Sequence, residues 1–419
     1  MKINADRIAA DLDLIAGITE TPGKGSSRPT FTPQWAMARD YVIAQAKAAG
    51  CDSLIDPAGN VHIRQGAFGW TAPAWLSGSH IDSVPHGGKF DGVTGIVVPL
   101  EILRAAHEAQ RTIPLELVIF AEEEGTTFNL GMLGSRAWAG TLTMNDLGRL
   151  KNRNGISFLD AGRPYGVVAD QIATHKIDPM QYKGLIEVHV EQGPAMWEQN
   201  IPLSVVTAIN GRRQFACTIR GVANHAGSTP MDYRQDALCG FAEIAIALEA
   251  LPLSIAASPA AGEATRGSQL HGVLTIGQIF NKPNAINVIP DEVTFTIDFR
   301  SSTNDALERG AAEIERTISD IAGKRKLTAE LKQTEALAAV ALDEGVINAL
   351  RSAANYIGLD KIGETSSGAL HDAAILAPLL PTAMVFVASR DGISHNPGEF
   401  SRIEDIAKAA ELLFAVVRA

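Results

Sequence analysis

AWLSGSHIDSVPHGGKFDGVTGIVVPLEILRAAHEAQRTIPLELVIF, residues 74–120, contains two short apolar runs on either side of a longer segment. Residues 74–79 and 115–120 are predicted to be strands, and residues 94–109 between them are predicted to form a helix. A strand, a helix and a second strand in this order make a βαβ unit, whose strands lie parallel under the helix. The sequence therefore predicts an α/β fold in which helices surround a mostly parallel central sheet.

The segments towards both ends of the chain extend this pattern. Ile8, Leu12 and Ile15 recur at helical spacing near the N-terminus. A strand over residues 382–387 precedes a helix over residues 403–417 at the other end. Both ends of the chain are therefore expected to belong to the same α/β domain.

The middle of the chain follows a different order. Strands and helices alternate there as βαββαβ, over residues 214–220, 236–251, 270–280, 292–300, 305–322 and 327–332. This order is typical of a ferredoxin-like α+β unit. We therefore predict an α/β domain that is formed in two parts, residues 1–211 and 333–419. A second domain, residues 212–332, is inserted between them.

The composition excludes several classes of protein. Hydrophobic residues make up 46% of the 419 residues and charged residues 20%, as in ordinary globular chains. A net charge of -11 repels phosphate backbones, so nucleic-acid binding is not expected. No apolar run approaches the roughly 20 residues of a membrane span, and the charged N-terminus is unlike a signal peptide. A cytoplasmic protein is expected, with three reduced, buried cysteines, Cys51, Cys217 and Cys239.

The first candidate site follows a predicted strand in Gly78-Ser79-His80-Ile81-Asp82, with Asp91-Gly92 further on. His80 and Asp91 are possible metal ligands. Asp82 is a possible partner for the second nitrogen of His80, because a ligating imidazole usually donates its other N–H group to a carboxylate. The alternative is that Asp91-Gly92 is a simple turn and that His80 is a hydrogen-bonded histidine without a ligand role.

A run of three carboxylates, Glu122-Glu123-Glu124, follows the predicted strand 115–120. Adjacent carboxylates at the end of a buried strand repel each other, and a cation would relieve the repulsion. Metal-assisted hydrolysis uses one carboxylate as a ligand and another as a general base. The residues alone do not choose among the three, and a solvated acidic loop is the alternative.

Two further histidines lie in or after predicted strands. Glu187, His189 and Glu191 alternate along one strand face, and His395 follows the strand over residues 382–387. Ligands bind at the strand ends of open α/β sheets, so the four segments together predict a metal site. Mixed imidazole and carboxylate ligands suit Zn, Mn or Co better than Mg or Ca.

Seven strings, with EEEGTTF and LGSRAWAG counted together as one, resemble one known family in this order: GSHIDSVPHGGKFDGVTG, EEEGTTF with LGSRAWAG, EVHVEQGP, NHAGSTPMDYRQDA, NVIPDEVTFTIDFR, SSGALHDA and GISHNPGE. The sequence is similar, from about residue 5 to the C-terminus, to the M20-type metallopeptidase superfamily. The similarity is closest to its hydantoinase/carbamoylase branch of N-carbamoyl-L-amino-acid hydrolases, allantoate amidohydrolases and ureidopropionases. The resemblance implies a catalytic domain with two divalent metal ions per subunit, and an inserted lid domain that forms a homodimer.

The resemblance also implies roles for individual residues. Glu123 becomes the general base, and Asp82 the partner of His80. The implied metal ligands, with Asp91 bridging, are His80, Asp91, Glu124, His189 and His395. The implied substrate-binding residues are Gln192, His225, Asn287, Arg300 and His371, with His225 acting at the active site of the partner subunit.

The expected reaction is cleavage of the carbamoyl C–N bond of an N-carbamoyl-L-amino acid, which releases the amino acid, ammonia and carbon dioxide. Allantoate amidohydrolase and ureidopropionase are the nearest alternatives, and a dinuclear exopeptidase or dipeptidase is a more distant one. The Glu187-x-His189-x-Glu191-Gln192 string argues against a peptidase, since peptidases of the superfamily more often place a carboxylate ligand there. A non-catalytic binding protein is not expected, because every implied ligand and Glu123 are present.

Overall fold

A computed structural model describes residues 2–256, 272–359 and 361–418. Helices and strands alternate along the chain as the βαβ pattern predicts. The strands are β1 (Cys51–Ile55), β2 (Val61–Gln65), β3 (Ala74–His80), β4 (Leu115–Phe120), β5 (Tyr182–Val190), β6 (Leu203–Ile209), β7 (Gly211–Arg220), β8 (Val273–Thr275), β9 (Ile279–Lys282), β10 (Glu292–Ser301), β11 (Thr328–Leu337), β12 (Val340–Ala341), β13 (Ile362–Ser367) and β14 (Thr382–Val387). The helices are α1 (Ala5–Gly17), α2 (Pro33–Ala48), α3 (Val93–Glu108), α4 (Leu133–Ala139), α5 (Met144–Arg149), α6 (Phe158–Gly162), α7 (Ala169–Ile172), α8 (Ala195–Glu198), α9 (Ala237–Glu249), α10 (Leu251–Ala256), α11 (Asn304–Lys324), α12 (Glu344–Tyr356), α13 (Asp372–Leu376) and α14 (Ile403–Val417).

The chain divides into two compact units. The larger unit comprises the described residues within Met1–Thr207, Leu342–Glu364 and Leu370–Ala419. The smaller unit comprises those within Ala208–Ala341 and Thr365–Ala369. The segment that the sequence predicts to be inserted, residues 212–332, lies within the smaller unit.

A mixed sheet with a parallel centre organises the larger unit. Its strand order runs β1-β2-β4-β3-β5-β14-β6. The neighbours from β4 through β3 and β5 to β14 are parallel, whereas β1, β2 and β6 pair in antiparallel fashion at the two sides. The protein therefore has the predicted α/β fold with a mixed, mostly parallel central sheet. The carboxyl ends of four parallel strands consequently lie at one edge.

Helix α3 connects β3 to β4 and is buried along most of its length. It packs against β3, β4 and β5 on one side and contacts α1 and α14. The helix begins directly after Gly92, whose φ of 66° is left-handed. A Cβ atom at Gly92 would lie 2.4 Å from the His80 ring, so the close approach of this turn to the histidine requires glycine.

The smaller unit is an antiparallel sheet packed against helices. Its strand order is β11-β7-β10-β8, and β9 also pairs with β10. Helices α9 and α11 pack on β7 and β10. Every second side chain along β10 is buried, at Val293, Phe295, Ile297 and Phe299. Residues 257–271, which include the start of the predicted strand 270–280, lie outside the described part of the chain.

Helix α9 and most of α10 form a long apolar stretch. Among the described residues, Ala237–Ile255 has 19 residues and a mean hydropathy of 1.7, which by length and composition alone would suffice to cross a membrane. The stretch contains Glu243 and Glu249, so it is not an uninterrupted apolar run. Ile244 and Leu248 pack into the core of the smaller unit, whereas Ile246 and Leu253 are 71% and 68% exposed. A folded unit with an apolar face of this kind has a candidate interaction surface.

The cysteines follow the prediction only in part. All three are free, and Cys51 and Cys217 are buried as expected. Cys239 is exposed, so the prediction of burial is wrong there, because position 239 lies on the outer side of α9.

Candidate metal centre

The carboxyl edge of the parallel strands brings the five implied ligands together. His80 is the last residue of β3, and His189 lies one residue before the end of β5. The remaining three residues, Asp91, Glu124 and His395, occupy the connections that follow β3, β4 and β14. The parallel direction of these strands explains why residues so distant in sequence meet.

Asp91 lies at the middle of this cluster. Its Oδ1 atom is 3.1 Å from Nε2 of His189 and 3.7 Å from Nε2 of His80. Its Oδ2 atom is 3.1 Å from Nε2 of His395, and that nitrogen is 3.7 Å from Oε2 of Glu124. Each oxygen of Asp91 thus faces a separate group of donors, the arrangement that a carboxylate bridging two cations requires.

The donor set fits divalent transition metals. Ligand atoms about 2.0–2.1 Å from one ion lie about 3.3 Å apart in tetrahedral geometry. The distances of 3.1 to 3.7 Å between the ligand atoms around Asp91 are similar. Two groups able to hold a metal ion share this residue: His80, Asp91 and His189, and Asp91, Glu124 and His395.

The electrostatics of the cluster also favour a cation. Burial, with the nearby charge of Asp91, raises the pKa of Glu124 to about 7. Burial likewise raises the pKa of Glu123 well above its usual value, and the negative charge of Glu124 adds to the shift. A bound cation would offset the cost of burying these carboxylates close together.

Backbone carbonyls orient the two buried histidines. Nδ1 of His80 lies 2.9 Å from the carbonyl oxygen of Asp82, and Nδ1 of His189 lies 2.9 Å from that of Val190. Because a carbonyl can only accept, each Nδ1 carries the proton, and each Nε2 lone pair points towards Asp91. The sequence predicts the Asp82 carboxylate as the partner of His80, but Nδ1 donates to the main-chain carbonyl of Asp82 and lies 3.7 Å from Oδ1 of the carboxylate.

The Asp82 carboxylate holds the glutamate loop instead. It accepts the backbone N–H groups of Glu123 at 3.3 Å and Glu124 at 3.1 Å. These two bonds fix the start of the connection after β4 next to the end of β3. Asp82 thus supports two segments of the cluster at once.

The three consecutive glutamates have three different environments. Glu122 has a left-handed φ of 58°, and its buried carboxylate turns away to accept the backbone N–H groups of Thr127 and Phe128. Oε2 of Glu123 lies 3.6 Å from Nε2 of His80. Glu124 faces His395 and also accepts the backbone N–H group of Val84. The structure therefore separates Glu122 from the other two, which the residues alone could not do.

Gln192 and His371 border the cluster in the larger unit. Gln192 donates from Nε2 to Oδ2 of Asp91 at 3.0 Å, and its backbone is left-handed, with a φ of 58°. The buried ring of His371 packs edge-on against His189, with 4.6 Å between the centroids. Glu191 lies outside the cluster, because its carboxylate accepts the backbone N–H group of Met196 at the start of α8.

The other predicted substrate-binding residues lie in the smaller unit. Nδ1 of His225 accepts the backbone N–H groups of Gly227 and Ser228 at 3.0 and 3.1 Å. Because Nδ1 accepts, the N–H group of the exposed ring lies on Nε2. The loop of His225 pairs with that of Asn287, through the N–H group of Ala226 and the carbonyl of Asn287 at 3.0 Å.

Arg300 is held by its own strand. Its Nε and Nη2 atoms donate to the two oxygens of Asp298 at 2.9 and 3.3 Å, and Nη1 donates to the carbonyl of Gly368 at 2.9 Å. Gln214 in turn donates to Asp298 at 2.9 Å. Arg300 therefore forms an ion pair with Asp298 of its own strand. A guanidinium has five N–H groups, so these contacts leave donors for a further acceptor.

A family model described as peptidase family M20/M25/M40 matches residues 76–419. The chain belongs to this family. Among its relatives, the chain is 34% identical to the N-carbamoyl-L-amino acid amidohydrolase of Geobacillus stearothermophilus, over 99% of this chain and 98% of the relative. It is 30% identical to the allantoate amidohydrolase of Escherichia coli K12, over 97% and 95% of the two chains.

A solved structure extends the similarity to the whole fold of the M20 chain. The amidase of the hydantoinase/carbamoylase family from Burkholderia multivorans has a TM-score of 0.90 and 32% identity, over 100% of this chain and 98% of the other. The M20 membership and the branch inferred from the seven strings are thus confirmed.

Two buried carboxylates beside the metal centre were missed by the sequence interpretation of this M20 protein. Glu187 was noted only as part of an alternating run, yet its carboxylate accepts from Ser79 and from the backbone of Ala373 beneath His189. Glu399 accepts hydrogen bonds from the Asp91 segment. The GISHNPGE string contains Glu399, and this position in a matched string was the available signal.

Proposed function

We propose that the protein is a two-metal amidohydrolase that cleaves the carbamoyl C–N bond of N-carbamoyl-L-amino acids. The products are the amino acid, ammonia and carbon dioxide. The observation that carries the proposal is Asp91, whose two oxygens face separate donor groups next to Glu123. The similarity to amidohydrolases of N-carbamoyl-L-amino acids over nearly the full chain supports this substrate class.

One metal would be held by His80, His189 and Asp91, and the other by Glu124, His395 and Asp91. Two divalent ions, Zn, Mn or Co, would polarise the ureido carbonyl and lower the pKa of the attacking water. The main-chain acceptors of His80 and His189 keep the Nε2 atoms ready for this role. The Asp82 carboxylate keeps Glu123 and Glu124 in place.

Glu123 acts as the general base. It accepts a proton from the water that attacks the ureido carbon, and it returns the proton to the nitrogen that leaves as ammonia. The N-carboxy amino acid that remains then loses carbon dioxide, which breaks the second C–N bond and releases the amino acid. Burial raises the pKa of the Glu123 carboxyl group, which makes the carboxylate a stronger base for the proton of the water. Glu122 has no part in this transfer, since its carboxylate is bound to the loop after it.

The residues of the smaller unit would bind the substrate. Arg300, oriented by Asp298, would bind the α-carboxylate through its remaining N–H groups, because a guanidinium fits a carboxylate in two-point contact. Nε2 of His225 would donate to the oxygen that becomes negative in the transition state, and Asn287 would add an amide donor. Gln192 and His371 would border the substrate in the larger unit.

The domain roles are part of the proposal. Residues 1–211 and 333–419 would form the catalytic domain, and residues 212–332 a lid that also forms a homodimer in the cytoplasm. The exposed apolar side chains of α9 and α10, Ile246 and Leu253, support a protein interface on this unit. In a dimer, His225 would complete the active site of the partner subunit.

Allantoate amidohydrolase is the second candidate, with ureidopropionase beside it, because the chain is 30% identical to the allantoate enzyme of Escherichia coli over most of both lengths. A dipeptidase is less well supported. Glu191 supplies no carboxylate to the cluster, and His189 takes the place where peptidases of the superfamily more often carry one.

A substrate panel tests the proposal. Purified protein supplied with Zn²⁺, Mn²⁺ or Co²⁺ is assayed for ammonia release from N-carbamoyl-L-amino acids, N-carbamoyl-β-alanine and allantoate, and for cleavage of dipeptides. The proposal predicts the highest kcat/KM for an N-carbamoyl-L-amino acid. A higher kcat/KM for allantoate would favour an allantoate amidohydrolase, and a higher one for N-carbamoyl-β-alanine would favour a ureidopropionase. Cleavage of dipeptides alone would contradict the proposal.

A further inference from the structure

Glu399 connects two segments that each carry an implied metal ligand. Its Oε2 atom accepts the backbone N–H groups of Phe90 at 2.8 Å and Asp91 at 3.1 Å. Its Oε1 atom accepts the hydroxyl of Ser394, the neighbour of His395, at 3.1 Å. The carboxylate is 5% exposed. One buried side chain therefore holds the bridging Asp91 from one side and the loop of His395 from the other.

The His395 loop needs such a support. The His395 side chain is 51% exposed, whereas those of His80 and His189 are 1% and 2% exposed. Its backbone also has a left-handed φ of 53°, which is unfavourable for a residue with a side chain. A strained, exposed loop keeps a defined position only if the surrounding contacts hold it, and the bond from Ser394 to Glu399 is one of them.

The glycine at position 88 makes room for this carboxylate. A Cβ atom there would lie 2.1 Å from Oε2 of Glu399. Gly88 has no left-handed backbone that would itself require glycine. The absence of a side chain at residue 88 is therefore explained by the position of Glu399.

We propose that Glu399 is a positioning residue of the metal centre, which holds Asp91 and His395 at the separation needed for the Asp91–Glu124–His395 metal. It touches neither the metal nor the substrate, and it acts through the main chain of residues 90–91 and the hydroxyl of Ser394. This inference rests on the metal site of the proposed function. Groups that orient metal ligands typically contribute about 10- to 100-fold to metal affinity.

Titration with Co²⁺ tests the inference without an activity assay. Visible absorbance and calorimetry follow the binding of each equivalent to the purified full chain, and His395→Ala identifies the equivalent that depends on the exposed site. In Glu399→Ala, that equivalent should bind about 10- to 100-fold more weakly. In Glu399→Gln, the Co²⁺ affinity of that equivalent should fall by less than about tenfold, because the amide can still accept from the backbone and donate to Ser394. Glu404→Gln, an exposed carboxylate on α14, is the matched control and should bind as the wild type.

Two further variants keep the test decisive if Glu399→Ala does not fold. Gly88→Ala should displace the carboxylate and weaken the same equivalent, whereas Gly87→Ala, where the nearest atom is 3.1 Å away, should not. Ser394→Ala should weaken it mildly, and should add nothing in the Glu399→Ala background because the two residues act together.

The outcomes separate this inference from the proposed function. Two equivalents bound with unchanged affinity in folded Glu399→Ala or Gly88→Ala would overturn the inference alone. Equal losses of Co²⁺ affinity in Glu399→Ala and Glu399→Gln would also overturn it. The negative charge of Glu399, and not its hydrogen bonds, would then be responsible for the affinity. A wild-type chain that binds no Co²⁺ would contradict the proposed function itself.

Discussion

Neighbouring residues with the same side chain have different tasks in this site. Glu123 and Glu124 are held by consecutive N–H bonds to Asp82, but one faces His80 and the other faces His395. Glu122, with its left-handed backbone, faces neither. The contacts that each of the three glutamate side chains makes therefore depend on the direction of the main chain at its position.

Substitution of the glutamates tests this division. Glu123→Gln should lower kcat by about 10²- to 10⁴-fold, because the general base is lost. It should retain the metal, which elemental analysis of the purified variant would show. Glu124→Gln should lose part of the metal. The reverse pattern, metal loss in Glu123→Gln and retention in Glu124→Gln, would exchange the two assignments.

Arg300 provides a second prediction at the scale of single residues. Arg300→Lys should lower kcat/KM by roughly tenfold or more, because an ammonium cannot make the two-point contact of a guanidinium. Asp298→Asn should have a smaller effect in the same direction, mainly through KM, since it loosens the orientation of Arg300. Steady-state kinetics and metal content are measured together. Wild-type kinetics in a folded Arg300→Lys variant would leave Arg300 with only its structural ion pair.

The gathering of the ligands was predictable, and the details of their contacts were not. His80, His189 and Glu124 lie in or after apolar strands, and a βαβ pattern places the ends of such strands at one edge. The sequence could not show that Glu122 turns away, because this depends on N–H donors of the following loop. Nor could it show that His80 donates to a carbonyl, since local spacing carries no information on hydrogen-bond geometry.

Among the elements, β2 and β4 share a buried charged cluster that contains none of the implied metal ligands. Nδ1 of His62 lies 2.7 Å from Glu116, and Glu116 also accepts from Arg64. Burial disfavours the charged imidazole, but the carboxylates of Asp56 and Glu116 outweigh it and raise the pKa of His62 to about 9. The folded state therefore binds a proton here more tightly than the unfolded chain.

This cluster predicts a pH dependence of stability. The stabilisation from charged His62 should be complete below its unfolded pKa of about 6.5 and should disappear as the pH rises through about 9. The free energy of unfolding, measured with urea, should fall by about 3 kcal/mol over this window. His62→Gln should remove most of this fall. His175→Gln, with an exposed imidazole, is the control. A wild-type curve as flat as that of His62→Gln would contradict the prediction.

The bounds of a strand are easier to predict from the sequence where its pairing with neighbouring strands is regular. β14 and α14 have the bounds that the sequence predicts, residues 382–387 and 403–417. The described part of the predicted strand 270–280 is instead divided into β8 and β9. Thr275 pairs with Asp298 and Ile279 with Phe295, so three residues between them face two on β10. An extra residue of this kind interrupts a strand, and its position depends on the partner strand.

At the scale of the whole molecule, non-local contacts decide which residues belong together. Thr365–Ala369 belongs to the smaller unit, where Asn210 donates to the carbonyl of Ser367 at 2.8 Å and Arg300 to that of Gly368. The sequence predicts this segment to be part of the α/β domain, because no local pattern predicts a contact across more than 60 residues.

The proposed dimer predicts complementation between inactive subunits. Mixed protomers of His225→Ala and Glu123→Gln should recover part of the activity, because one of the two sites in each heterodimer would hold both wild-type residues. Subunit exchange is verified by mass spectrometry of the intact assemblies, and each variant alone is the control. Absence of recovery after exchange would show that His225 does not act in the partner's site.

Metal dependence of ammonia release tests the central claim most directly. The wild-type protein is exhaustively chelated, its metal content is measured, and hydrolysis of an N-carbamoyl-L-amino acid is followed before and after addition of Zn²⁺, Mn²⁺ or Co²⁺. We predict that the stripped protein is inactive and that activity returns as about two equivalents per chain bind, since Asp91 serves two donor groups. Full activity in the metal-free protein would contradict the account.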